Sequence, residues 1–154
     1  MDNLYKTMKD RQQKEVDAYL KDTAFFAFDN KRFTEGLAKL GITEADAPKK
    51  LSRLGNTGGY MLKEKVKDFK QMLDNFDQEQ RNAWQDPDTG RRFAYDMFFY
   101  ELNNHEYIIT LDEGETLEAL GITWDEVKKS PVLSQELNQA TNQIMKDAME
   151  NGFI

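Results

Sequence analysis

His105 is the only histidine in this 154-residue chain, and the one side chain whose ordinary chemistry titrates near neutrality. It stands in the run Tyr100-Glu101-Leu102-Asn103-Asn104-His105-Glu106-Tyr107, between an aromatic-rich segment and a β-branched one. An imidazole there could act as general acid or base, and a carboxylate in reach would fix its tautomer. Glu106 is adjacent, but neighbours on a strand point to opposite faces, so contact is expected instead from Glu101, Asn103, Asn104 or a distant residue. A structural role competes with this one. A histidine in a helix's last turn meets the negative end of the dipole, and asparagine is a frequent cap there. Tyr100, Asn104, His105 and Glu106 are therefore candidates for contact with a partner or a ligand, and no residue is assigned a catalytic role.

Other chemistries find less material. The absence of cysteine removes disulfides, thiolate nucleophiles and thiolate metal sites. With one histidine no zinc site is expected, and no other metal or cofactor either. Asp112, Glu113 and Glu115 lack the spacing of a calcium loop, and Asp86-Pro87-Asp88-Thr89-Gly90 reads as a turn that runs into Arg91-Arg92. No serine sits in a nucleophile elbow. Gly55-Asn56-Thr57-Gly58-Gly59 lacks both the Walker and the dinucleotide-binding patterns, so its glycines are expected to serve a reversal. Phe25, Phe26, Phe28, Phe93, Tyr95, Phe98, Phe99 and Tyr100 suit a core. They are too many for one core of this size, and an exposed aromatic remainder would mark an interface.

The elements that would position these residues follow from periodicity. Residues 3–21 space Leu4, Met8, Val16, Tyr19 and Leu20 along a polar helix, marginal to the core. Ala24-Phe25-Phe26-Ala27-Phe28 has strand length, and Asp29 offers an N-cap for a helix through Leu40. Residues 51–54 and 60–62 flank the glycine-rich reversal as a hairpin. Val66, Phe69, Leu73 and Phe76 recur at helical steps from Lys63 toward Trp84. Residues 91–103 are apolar on several faces and predict the most buried helix, followed by a strand over 107–111. Leu133, Leu137, Ala140, Ile144 and Ala148 form a stripe on a helix starting near Pro131 and ending at Asn151-Gly152.

Leu37-Ala38-Lys39-Leu40-Gly41-Ile42-Thr43 and Leu117-Glu118-Ala119-Leu120-Gly121-Ile122-Thr123 agree at five of seven positions. Glycine ends a helix in the left-handed conformation, isoleucine packs back, and threonine caps the next turn. Glu126 completes a capping box with Thr123, and Asp46 gives Thr43 a weaker version. Shared capping chemistry explains the match without duplication. Each copy is expected to follow a strand and a capping aspartate, Asp29 and Asp112.

Together these segments predict one α+β domain over 1–154: an N-terminal helix (1–21), an α+β core (22–127) and a C-terminal amphipathic helix (130–151). A small antiparallel or mixed sheet of about four short strands would pack with about five to six helices. The size suffices to bury roughly 70% of the unfolded surface. No apolar run is long enough for a membrane span or a secretory signal, so a soluble cytoplasmic protein is expected.

Net charge is −7, unevenly spread. Residues 1–70 hold 15 Lys and Arg against 11 Asp and Glu; residues 71–154 hold 6 against 17. An acidic half engages a basic protein surface or imitates nucleic acid, though charged helix faces are ordinarily just solvated. Direct nucleic-acid binding is not expected, because the one basic run, residues 63–70, is diluted by acids. The stripe on the last helix would serve a homodimer.

Phe25-Phe26-Ala27-Phe28 with Phe33, the Gly58-Gly59 turn, and Glu101-Leu102-Asn103-Asn104-His105-Glu106-Tyr107 resemble a family of short uncharacterised proteins carried by bacteriophages and mobile elements of gut-type bacteria. The resemblance covers about residues 22–127. It implies a phage or mobile-element accessory protein in the bacterial host cytoplasm, acting by protein–protein interaction with host or phage machinery. The alternative is a small enzyme or ligand-binding protein with a pocket near His105.

Overall fold

A computed structural model describes residues 2–154; the chain divides into two compact units, Arg11–Phe76 and Met1–Asp10 with Asp77–Ile154. Among the described residues are nine helices and three strands, a helix-rich α+β chain with fewer strands and more helices than expected.

The Arg11–Phe76 unit contains residues 11–23 of α1 (Leu4–Thr23), β1 (Ala24–Phe26), α2 (Asn30–Leu40), α3 (Ala47–Lys50), β2 (Leu51–Arg53), β3 (Gly59–Leu62) and residues 63–76 of α4 (Lys63–Trp84). The expected hairpin forms, and β1 joins its other side to give an antiparallel sheet of order β1-β3-β2, with Phe25 opposite Tyr60 and Ser52 opposite Met61. Asp29 caps α2 by accepting the Arg32 amide at 2.8 Å. Gly41 closes the helix at φ 69°, and the Ile42 amide reaches back to the Leu37 carbonyl at 2.9 Å. Phe25, Ala27, Leu37, Ile42, Ala47 and Leu51 make the core, with Phe33 and Tyr60 packed against them. Tyr19 stacks on Phe69 at 5.7 Å, while Leu73 of the expected α4 stripe is exposed.

The other unit contains residues 4–10 of α1, 77–84 of α4, then α5 (Gly90–Asn104), α6 (Tyr107–Thr110), α7 (Gly114–Leu120), α8 (Trp124–Lys129) and α9 (Pro131–Glu150). As the apolar content of 91–103 implies, α5 lies at the centre, burying Phe93, Ala94, Met97, Phe98 and Leu102. The stripe Leu133, Leu137, Ala140, Ile144 and Ala148 of α9 is buried in the same core. Tyr5 and Met8 are buried there too, so the start of α1 belongs to the core rather than to its margin.

The predicted strand over 107–111 is a one-turn helix, α6. Ile108, Ile109 and Thr110 favour a strand by their β-branching, but that preference depends on a pairing neighbour. Here the backbone closes on itself instead. Thr110 N–H donates to the Glu106 carbonyl at 3.2 Å, and Leu111 N–H to that of Tyr107 at 2.7 Å. The second copy of the repeated pattern therefore follows a helix, and the likeness holds only from the helix onward. Gly121 stands at φ 68° with Ile122 bonded back to Leu117, and Thr123 accepts the Glu126 amide at 3.1 Å, as expected. The capping position of α7 falls to Glu113 rather than Asp112, which accepts the Gly114 amide at 2.7 Å. Among the described residues no helix is long and apolar enough to cross a membrane.

Candidate functional site around His105

Helix α5 ends where its side-chain pattern changes from apolar to Asn103-Asn104, and His105 takes the C-cap position with its amide on the Glu101 carbonyl at 2.9 Å. One helical turn separates His105 from Glu101, so their side chains share a face. His105 Nε2 lies 3.3 Å from Glu101 Oε2, and its Nδ1 lies 3.8 Å from Glu115 Oε2. Glu101 is buried, an unusual place for a carboxylate unless it is partnered. Its second oxygen, Oε1, accepts the hydroxyl of buried Tyr5 at 3.2 Å. Thr116, also buried, directs its hydroxyl to the Glu101 carbonyl at 3.4 Å.

The result is a line of polar groups, Tyr5–Glu101–His105–Glu115, running from the core to an exposed carboxylate. Burial, reinforced by the neighbouring Glu101 charge, pushes the Tyr5 phenol well above its ordinary value. Tyr5 therefore stays a donor throughout the physiological range. Its ring packs on Phe93 at 6.1 Å and on Tyr100 at 5.7 Å, which fixes the hydroxyl's aim. Tyr107 is likewise pushed upward, first by burial and then by Glu113. This arrangement can orient an imidazole between two carboxylates.

Beyond His105 the chain makes a feature that sequence reading missed. Glu106 at φ 54° and Leu111 at φ 53° both adopt the left-handed conformation without being glycine. Each such residue costs roughly 1–2 kcal/mol, and a bulky one is an outlier. They bracket α6 and leave Ile109 at 66% and Leu111 at 57% exposure. Glu106, Asp112 and Glu115, close to them in sequence, are exposed as well.

The four residues singled out from sequence occupy one short stretch with different surroundings. Tyr100 is half-buried against Tyr5, His105 is half-buried between two carboxylates, and Asn104 and Glu106 face solvent. His105 meets Glu101 and Glu115, with Glu101 among the partners expected for it. Tyr5 carried no local signal, since it reaches Glu101 across 96 residues. The hollow lined by Trp84, Asp86, Asp88, Arg91, Ser130 and Val132 does not include His105. Among the described residues no group of three or more His, Cys, Asp or Glu is placed to hold a metal ion.

Residues 4–143 match a family of unknown function, DUF7659. The chain belongs to that family, whose span takes in α1 and most of α9 as well as the segment between them. No curated protein and no solved structure matches it.

Proposed function

We propose that the protein is a non-enzymatic binding module whose acidic unit engages a basic protein surface through residues 104–115. The observation that carries this reading is the turn bracketed by Glu106 and Leu111. Backbone strain at two non-glycine residues holds Ile109 and Leu111 outward, where burying them on folding would have been the favourable course. The unit Met1–Asp10 with Asp77–Ile154 holds 8 Lys and Arg against 18 Asp and Glu, a net of −10. An apolar pair with acids close by in sequence suits a partner whose apolar hollow is rimmed by Lys or Arg. In this reading Asn104, His105 and Glu106 take part in the contact, and Tyr100 is packed on Tyr5 at 5.7 Å.

The resemblance drawn from the sequence supplies the setting: an accessory protein of a phage or mobile element, acting in the bacterial host cytoplasm on host or phage machinery. A homodimer through α9 would use that helix's outer face, because its apolar stripe is occupied in the chain's own core. The polar line through His105 favours a second, lesser role as a ligand contact, since its imidazole is half-exposed and already oriented.

The test is a pull-down of tagged protein from nuclease-treated bacterial lysate at low and high salt, with Ile109→Ser and Leu111→Ser alongside. A protein retained by the wild type at low salt, weakened by high salt and lost with either variant supports the reading. A partner held equally by all three chains, or none held by the wild type, overturns it.

A further inference from the structure

The Arg11–Phe76 unit differs in charge from the rest of the chain, with 13 Lys and Arg against 10 Asp and Glu, a net of +3. It also carries two exposed aromatics close together in sequence, Phe28 at 82% and Phe26 at 52% exposure. Both belong to the segment that leads from β1 into α2. Each ring lies over a glycine of the β2–β3 reversal. A Cβ on Gly58 would fall 2.4 Å from the Phe28 ring, and one on Gly59 would fall 2.8 Å from the Phe26 ring. A ring resting on bare backbone is held in place from one side and open on the other. Here the glycines do more than permit a turn: they seat two aromatic platforms.

Each platform borders a hollow. The first, of about 490 Å³, is lined by Phe28, Phe33, Tyr60, Arg53, Gly58 and Gly59 among others, and the Arg53 guanidinium lies 5.9 Å over the Tyr60 ring. The second, of about 610 Å³, is lined by Phe26 with Lys31, Arg32 and Lys39. The two hollows share Asp29 as a common wall. Their cations are Arg53, Lys31, Arg32 and Lys39, and their anions Asp29 and Glu35, a net of +2. Asp29 is already engaged, accepting the Arg32 amide at the start of α2. That occupied helix start argues against a lone phosphate there.

Against the expectation set by the diluted basic run at 63–70, we propose that this β1–α2 face, whose cations come from other segments, binds single-stranded nucleic acid, with successive bases stacked on Phe28 and Phe26 and the backbone held by Arg53, Lys31, Arg32 and Lys39. The chemistry required is an aromatic surface for bases beside cations for phosphates, in a sequence-tolerant arrangement. Phe26 and Phe28 are two residues apart, on the order of 7 Å along an extended chain, a gap that two unstacked neighbouring bases can bridge. A duplex would not present its bases to these hollows. A basic protein would meet the four cations unfavourably, and an acidic one would leave two phenyl faces without flat partners.

The test is fluorescence anisotropy of labelled oligouridine and oligothymidine on the full chain, with a duplex of equal length for comparison. Phe28→Ala and Phe26→Ala act on exposed side chains, and circular dichroism checks that both fold. Each is expected to weaken single-strand binding by about 5- to 150-fold. Arg53→Ala should weaken it too, whereas Lys129→Ala, an equal loss of charge in the other unit, should not. With four phosphates neutralised, affinity should fall about 50-fold between roughly 50 and roughly 200 mM salt. No binding at low salt, a preference for the duplex, or binding unmoved by both phenylalanine substitutions would overturn the proposal. Capture of a protein at this face in place of the oligonucleotide would do the same.

Discussion

Replacing Tyr5 by phenylalanine removes one oxygen from the core and leaves the ring in place. The contacts at 6.1 Å with Phe93 and 5.7 Å with Tyr100 survive, and no cavity larger than the hydroxyl forms. What is lost is the 3.2 Å donor to Glu101, a carboxylate only 6% exposed. A hydrogen bond to a charged group is worth about 1.5–3 kcal/mol, so Tyr5→Phe should destabilise the protein by that amount at pH 8. Burial also raises the phenol above its ordinary 10.0, so the native state keeps a proton that the unfolded chain surrenders. That contribution is whole below about pH 10 and drains as pH rises beyond it, at about 1.4 kcal/mol per pH unit. The wild type should therefore lose stability between pH 10 and 11 at a slope that Tyr5→Phe lacks, and the gap between them should narrow. Tyr19, Tyr95 and Tyr107 are raised as well, but they are present in both proteins and cancel in the difference. Both tryptophans, Trp84 and Trp124, lie in the same unit as Tyr5, so urea unfolding followed by their fluorescence reports on it. Equal stability at pH 8, or a gap that stays constant to pH 11, would refute the assignment of Tyr5 as the donor to a buried carboxylate.

Glu106→Gly should relieve a left-handed strain of roughly 1–2 kcal/mol at an entropic cost of about 0.5–1 kcal/mol, for a net gain of up to about 1 kcal/mol. A thermal melt should rise by about 2–4 °C while protein-partner capture weakens; a lower melting temperature would show that the residue is unstrained. Gly90→Ala should cost about 1–3 kcal/mol in denaturant titration, because its Cβ would fall 2.3 Å from the Trp84 carbonyl oxygen, which is backbone and cannot swing aside. A variant as stable as the wild type would mean that the Trp84–Gly90 connection yields.

Helix ends were the most legible part of the chain, because capping is local chemistry. Asp29, Thr123, Gly41 and Gly121 each act within a few residues of themselves, and each does what its type and spacing imply. The burial of α5 was legible for a related reason: its apolar residues outnumber what one face can hold. Residues 107–110 misled because β-branching describes fit to a pleated neighbour, and no neighbour is supplied; Glu106 and Leu111 turn the backbone away at either end. The division at residues 76 and 77 falls inside the continuous helix α4, where no proline or glycine marks it. Only the change of charge near residue 70 hinted at it. Of the polar line, His105 was singled out and Glu101 was one of several partners expected for it. Tyr5 and Glu115 were not, since they come from segments outside the helix that ends at His105.

That change of charge also gives the two proposals opposite electrostatic signs and different residues. The acidic surface around Ile109 and Leu111 would repel a nucleic acid, and the cationic face around Phe26 and Phe28 would repel a basic protein. Salt weakens both interactions, so salt dependence alone identifies neither; nuclease treatment and single substitutions do. If the sites are independent, Ile109→Ser leaves oligonucleotide affinity unchanged and Phe28→Ala leaves protein capture unchanged. Were one ligand instead to alter affinity for the other, the effect would have to be reciprocal and equal in free energy. Reciprocity would mean that the two units communicate, and α1 and α4 would be the elements to examine, because each contributes residues to both.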